Sequence, residues 1–296
     1  MPLKIRALAL LAATLLLSGC GPHMPRVRVV TTTSTFASLV RAVGGSRVRV
    51  SSLVPVGTPV RSYRPTQQNV TQVRAAQLLV ENGVGLEPWL GRLLGDAAAP
   101  KLAHVVLTRY QPIRKGNPYL WMDPVAAKAY IRKIRNALIY EDPKYRDTYA
   151  RNAFDYDGKL ASLTAEIAKK IDALTPAQRT MIALNRRFTY YDARFGVRSI
   201  LVPVAQGAAP SAAQLARIAA LAERYNVHVV FAGPRQGAKL ERALGAGSAL
   251  RVVDSLYVDS VGSDPRVATY ISMLRHDTDT IVAALKGAQT EPSATP

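Results

Sequence analysis

Short β-branched and apolar runs alternate along this chain with longer stretches whose apolar positions recur every three or four residues. The first pattern predicts strands and the second amphipathic helices. Residues 26–33 read as a strand, 36–43 as a helix closed by Gly44-Gly45, and 48–54 as a second strand; a loop rich in Pro and Gly then runs through Pro65. A helix over 70–76, a strand over 78–81, a helix over 86–94 and a strand over 105–107 complete the series. Asp123 followed by Pro124 is a helix start, and that helix is expected to reach 139. Residues 145–174 hold no Pro and one Gly, which predicts a single long amphipathic helix. The alternation then restarts, with strands at 181–184, 197–202, 227–232 and 250–253 and helices at 188–195, 211–225, 236–244 and 265–285. Such alternation is the pattern of a parallel sheet covered on both faces. The expected architecture is α/β: two parallel-sheet lobes joined by a long spine helix, with a ligand cleft between them at the carboxyl ends of the strands.

The first twenty residues obey a different rule. A short basic start, an unbroken run of small and apolar residues over 7–17, and then Leu17-Ser18-Gly19-Cys20 predict a secretory signal peptide. Because it ends on the chain's only cysteine, it resembles a bacterial lipoprotein box. That resemblance implies a signal over 1–19, a lipidated Cys20 and a tether over 20–25. The rest divides into a first lobe (26–143), a linking helix (144–175), a second lobe (176–287) and a polar tail (288–296). With a single Cys, no disulfide can form within the chain. A hydrophobic fraction of 48% and a charged fraction of 20% belong to a globular protein.

Charge narrows the partners. The formal net charge is +19; without Lys4 and Arg6 the 39 basic side chains become 37 against 20 acidic, or +17. Such a field favours anionic partners. An exported location, and basic residues scattered rather than gathered in one arm, argue against nucleic acid. No GxSxG elbow, P-loop or HExxH string is present, nor a Cys or Ser nucleophile with a partnered base, so the chain is not expected to be an enzyme.

Several strings carry a family resemblance. They are Val30-Thr31-Thr32-Thr33, Leu53-Val54-Pro55-Val56-Gly57, Glu81-Asn82-Gly83-Val84-Gly85-Leu86-Glu87-Pro88-Trp89-Leu90, Trp121-Met122-Asp123-Pro124 and Asp254-Ser255-Leu256. Together they resemble the zinc- and manganese-specific solute-binding proteins of bacterial ABC transporters, over nearly all of the mature chain. The resemblance implies a monomeric receptor, tethered to the outer face of a membrane, that delivers ligand to a permease and its ATPase. It also implies a transition metal between the lobes, held by three histidines and one carboxylate, a donor set that suits borderline divalent ions.

The histidines are replaced. By this resemblance Arg61 stands at the first histidine, in Gly57-Thr58-Pro59-Val60-Arg61; Tyr119 at the second, in Pro118-Tyr119-Leu120-Trp121; and Asn185 at the third, ahead of Phe188-Thr189-Tyr190. The carboxylate is read at Asp254. The four histidines of the chain (His23, His104, His228 and His276) lie elsewhere. Arg64, Arg186 and Arg187 join the set as candidate anion contacts. A guanidinium cannot lose its proton and opposes a bare cation. Arg with Tyr and Asn instead suits carboxylate, phosphate or another oxyanion. The expected ligand is a small anion or a chelated metal, with no certain cofactor. Two alternatives stand beside it: a receptor for a hard ion such as iron or manganese through Tyr119 and Asp254, and a structural or adhesive envelope protein that docks by charge.

Overall fold

The two expected series of strands form two separate four-stranded parallel sheets. The computed structural model describes residues 26–287 apart from 206, 234, 235 and 246. The expected signal, Cys20, the tether with His23, and the polar tail lie outside the described residues. Strands β1 (Val27–Thr31), β2 (Val48–Ser52), β3 (Leu78–Glu81) and β4 (Ala103–Val106) line up in the order β2-β1-β3-β4. Strands β5 (Thr180–Ala183), β6 (Arg198–Leu201), β7 (Val229–Phe231) and β8 (Arg251–Val253) repeat that order as β6-β5-β7-β8. In register, Val29 lies between Val50 and Leu78, and Ile182 between Ile200 and Val230. The strand order reverses beside the first strand of each sheet, which opens a crevice beyond the carboxyl ends.

Helices cover both sheets. In the first lobe these are α1 (Ser34–Gly44), α2 (Gln67–Ala75), α3 (Leu90–Ala97) and α4 (Pro124–Glu141). The expected long helix is α5 (Arg146–Asp172), 27 residues, or about 40 Å at 1.5 Å per residue. It buries Tyr149, Ala153, Tyr156, Leu160, Leu163, Ile167 and Ile171, one stripe at three- and four-residue spacing. The second lobe carries α6 (Thr189–Phe195), α7 (Ala212–Tyr225), α8 (Gly237–Leu244) and α9 (Tyr270–Gly287). Two helices start four or five residues later than the sequence pattern indicates: α3 at Leu90, and α9 at Tyr270 behind a separate 3-10 turn, Pro265–Val267.

The late start of α3 has a cause that positions the site. Glu87 falls in the first turn of the helix expected over 86–94, yet its side chain is buried. It accepts hydrogen bonds from Thr32 Oγ1 (2.7 Å), Asn82 N (3.0 Å) and Gly83 N (3.1 Å). Gly83 has φ +87°, and a Cβ there would meet Val106 Cγ1 at 2.6 Å, so the turn requires glycine. Asn82 in turn accepts from Tyr130 Oη (2.7 Å) and donates from Nδ2 to Pro118 O (3.0 Å). Asn82 and Glu87 are thus the buried anchors of a brace that fixes the backbone just before Tyr119.

One apolar core runs through both lobes; it includes Phe36, Trp121, Phe188, Phe231, Tyr270 and Met273. Polar ties cross with it. Trp121 Nε1 donates to Val258 O (2.9 Å), and Tyr270 Oη donates to Trp121 O. Asp123 caps α4 by accepting from Val125 N (2.9 Å), and both its oxygens accept from Arg194 of the second lobe (2.9 and 2.8 Å).

Candidate functional site

Four loops leave the carboxyl ends of β2, β4, β5 and β8 and meet between the lobes. The second carries Tyr119, whose amide donates to Asn117 Oδ1 (3.0 Å) and whose ring lies 5.0 Å from that of Trp121. The third carries Arg187, whose amide donates to Asn185 Oδ1 (3.2 Å). The fourth carries Asp259. These three side chains form the buried heart of the cleft. Arg187 Nη2 stands 3.0 Å from Asp259 Oδ2, with the two side chains 6% and 12% exposed, so the pair is screened little by water. The Arg187 guanidinium also lies 5.8 Å from the centre of the Tyr119 ring, joining the two lobes.

The electrostatics follow from burial. Burial pushes the Tyr119 phenol up to about 12, helped by the charge of Asp259 and opposed by Arg187 and Arg61. It pushes the Asp259 carboxyl up as well, against the pull of Arg187. At Arg187 burial opposes the charge, but attraction to Asp259 and Tyr119 outweighs it, and the guanidinium stays charged. Asp259 Oδ1 has no hydrogen-bond partner among the described residues. A cavity of about 190 Å³ opens beside it between residues 56–59 and 254–260, where Gly57 N donates to Ser260 Oγ across the lobes (3.2 Å).

The residues singled out in the sequence are divided by the fold. Arg61 is exposed at the rim, next to buried Val60, whose carbonyl accepts from Trp89 Nε1 (2.7 Å); its charge acts on Tyr119. Asn185 and Arg186 line a groove on the second lobe's side. Arg64 faces a different hollow, with Trp89 and Arg92, and does not join the cleft. Arg187 is not a free anion contact, because Asp259 already holds it. Asp254 lines the same cavity as Asp259, but it is exposed and packs on Gly237, where a Cβ would collide with its Oδ2. The ion pair that the structure builds between these loops is Arg187–Asp259. The sequence reading missed Asp259, although a signal existed: Asp259-Ser260-Val261 repeats the Asp254-Ser255-Leu256 pattern five residues on.

This arrangement fits a bare divalent cation poorly. Its one buried carboxylate faces a permanent cation, and no group of three or more His, Cys, Asp or Glu able to hold a metal exists among the described residues. His104 contacts Glu81 (3.1 Å), His228 contacts Asn226 (3.1 Å), and His276 lies against the Tyr257 ring. None of them reaches the Arg187–Asp259 pair.

Comparison with known proteins places the chain. The family model described as the periplasmic component A of the zinc-uptake complex (ZnuA) matches residues 29–284. The iron-binding protein YfeA of Yersinia pestis is 27% identical over 265 residues, covering 86% of this chain and 85% of that protein. The manganese-binding lipoprotein MntA of Halalkalibacterium halodurans is 25% identical over 294 residues, covering 95% and 96%. Among solved structures, the periplasmic zinc binding protein TroA from Treponema pallidum superposes with a TM-score of 0.78 at 22% identity, covering 88% of this chain and 99% of that one.

Proposed function

This chain belongs to the ZnuA family of periplasmic metal-uptake components, and from that premise we propose that it is the solute receptor of an ABC importer whose cleft takes a small anion or a chelated metal rather than a bare divalent cation. The family consists of transporter receptors, not enzymes. The observation that carries the reading is the guanidinium of Arg187, lodged between Tyr119 and Asp259 at the junction of the lobes. A fixed positive charge there repels a free cation and neutralises the one buried carboxylate that could receive it. Arg61 at the rim supplies donors for an oxyanion. A permease and its ATPase are the partners that the family membership supports.

Calorimetric titration of the chelator-stripped protein with zinc, and with manganese as a second probe, tests this. Neither metal is expected to bind at submicromolar concentration. Submicromolar binding of either would sink the reading and leave an ordinary metal receptor with an unexpected ligand set.

The same proposal places the protein outside the cytoplasm, anchored through a lipid on Cys20. Relatives named as lipoproteins support this, and among the described residues no helix is long and apolar enough to cross a membrane. Cys20→Ala is expected to move the protein from the membrane fraction to the soluble one. The membranes are to be washed at high salt, which strips charge-held protein but leaves lipid-held protein in place. Retention of the variant after that wash would refute the anchor.

A further inference from the structure

A second concavity gathers several cations, whereas the cleft's Arg187 is already paired with Asp259. It lies where residues 114–115 of the first lobe meet α6 and β6 of the second, with a volume of about 630 Å³. Arg114 and Lys115 line it from one side, and Asn185, Arg186 and Arg198 from the other. Arg114, Lys115 and Arg186 are exposed and make no ion pair among the described residues. The Arg198 guanidinium lies 4.7 Å from the centre of the Tyr225 ring, an arrangement that leaves edge N–H groups to donate.

The spacing of these cations is set in advance. Arg114 N donates to Tyr190 Oη (2.8 Å), Tyr190 Oη donates to Asn117 O (3.1 Å), and Asn117 Nδ2 donates to Arg186 O (2.7 Å). These bonds stitch the two lobes together beside the groove and hold its walls at a fixed separation. Four like charges gathered around one hollow repel one another, and a bound anion would remove that cost. The only acid in the lining is Asp192. Burial pushes its carboxyl up to about 7, so near neutrality it cancels at most part of one of the four basic charges.

We propose that this groove binds a small oxyanion with two or more negatively charged groups, held by Arg114 and Lys115 from the first lobe and by Arg186 and Arg198 from the second. Such a ligand would span both lobes, and guanidinium groups on opposite walls suit paired carboxylate or phosphate oxygens. For its role in transport the inference rests on the anion-receptor reading above; the binding itself is measured separately.

The experiment is calorimetric titration of the purified protein with citrate and, separately, with pyrophosphate. The two probes distinguish carboxylate from phosphate recognition. Saturable binding of at least one is expected, weakened about tenfold or more by Arg114→Ala/Arg186→Ala. As a control for overall charge, Arg151→Ala/Lys159→Ala removes two exposed cations from α5 and is expected to leave affinity within about twofold. Binding of neither probe overturns the proposal. So does an equal loss in the two double variants, which would report only the general field. A loss that follows Arg61→Ala but not the groove variant would also overturn it while leaving the cleft reading intact. Tight zinc binding would overturn the cleft reading whatever the groove does.

Discussion

Arg187→Ala is expected to destabilise the protein by about 3–5 kcal/mol, the usual consequence of removing one partner from a buried ion pair. The cost comes from what remains. Asp259 would stay in a site where its side chain is 12% exposed, with Oδ1 already without a partner, and would lose the one charge that opposes its burial. Tyr119 would lose its contact with the guanidinium, and the lobes one of their ties. Arg187→Met/Asp259→Leu is expected to recover most of the loss, because apolar side chains of similar volume replace such pairs at little net cost. Urea unfolding of Arg187→Met, Asp259→Leu and their double variant gives the coupling energy directly. Additive effects, or a cost below about 1 kcal/mol for Arg187→Ala, would show that water screens the pair and that it does not close the cleft.

Stability is expected to fall as the pH rises from about 4 to about 7. Burial pushes three carboxyls up to about 7: Asp277, against a hydrogen bond from Tyr257 N; Glu87, against those from Asn82, Thr32 and Gly83; and Asp192. In the unfolded chain they titrate near 4. Between those values the folded protein binds more protons than the unfolded one, and each rise in pH favours unfolding. Above about 7 both states are ionised and the trend stops. Asp277 is completely buried and accepts from Tyr257 N (2.9 Å). Its rise from the ordinary carboxylate range to about 7 corresponds to about 4 kcal/mol across the window. Glu166 has the opposite sign but a lower window: hydrogen bonds from Arg275, with help from Lys170, hold it down to about 2, so its contribution is lost only below about 4.5. Repulsion within a chain of formal charge +19 also grows in acid and limits stability at the low end. Urea midpoints between pH 4 and pH 8 should therefore decline through the window. Asp277→Asn, which keeps an acceptor for Tyr257 N, should flatten the slope. A rise in stability across that range, or an unchanged slope in the variant, would contradict the assignment.

Elements that depend on local pattern were legible. Strand β3 has the expected limits, and α5 differs from expectation by one residue at its start and two at its end, because unbroken amphipathic periodicity is enough to define a buried stripe. The start of α3 was misplaced because Glu87 accepts from Thr32, 55 residues earlier, and no local signal reports such a partner. The cleft shows the same limit. Arg61 and Tyr119 could be named from their strings. Arg64 is only three residues from Arg61, yet it faces another hollow.

The sequence by itself determined two βα series, the long helix between them, the basic charge, the lack of a histidine set, and the family. All of these depend on residue type and short-range spacing. Only the tertiary structure decided which carboxylate and which arginine occupy the centre. Asp254-Ser255-Leu256 and Asp259-Ser260-Val261 are equivalent as strings. The path of the chain beyond β8 leaves the first exposed against Gly237 and carries the second to Arg187. The gathering of Arg114, Lys115, Arg186 and Arg198 is likewise a product of two lobes meeting. Charge is written into the sequence residue by residue, but burial and proximity arise only when distant segments pack, and these two set what a charge can bind.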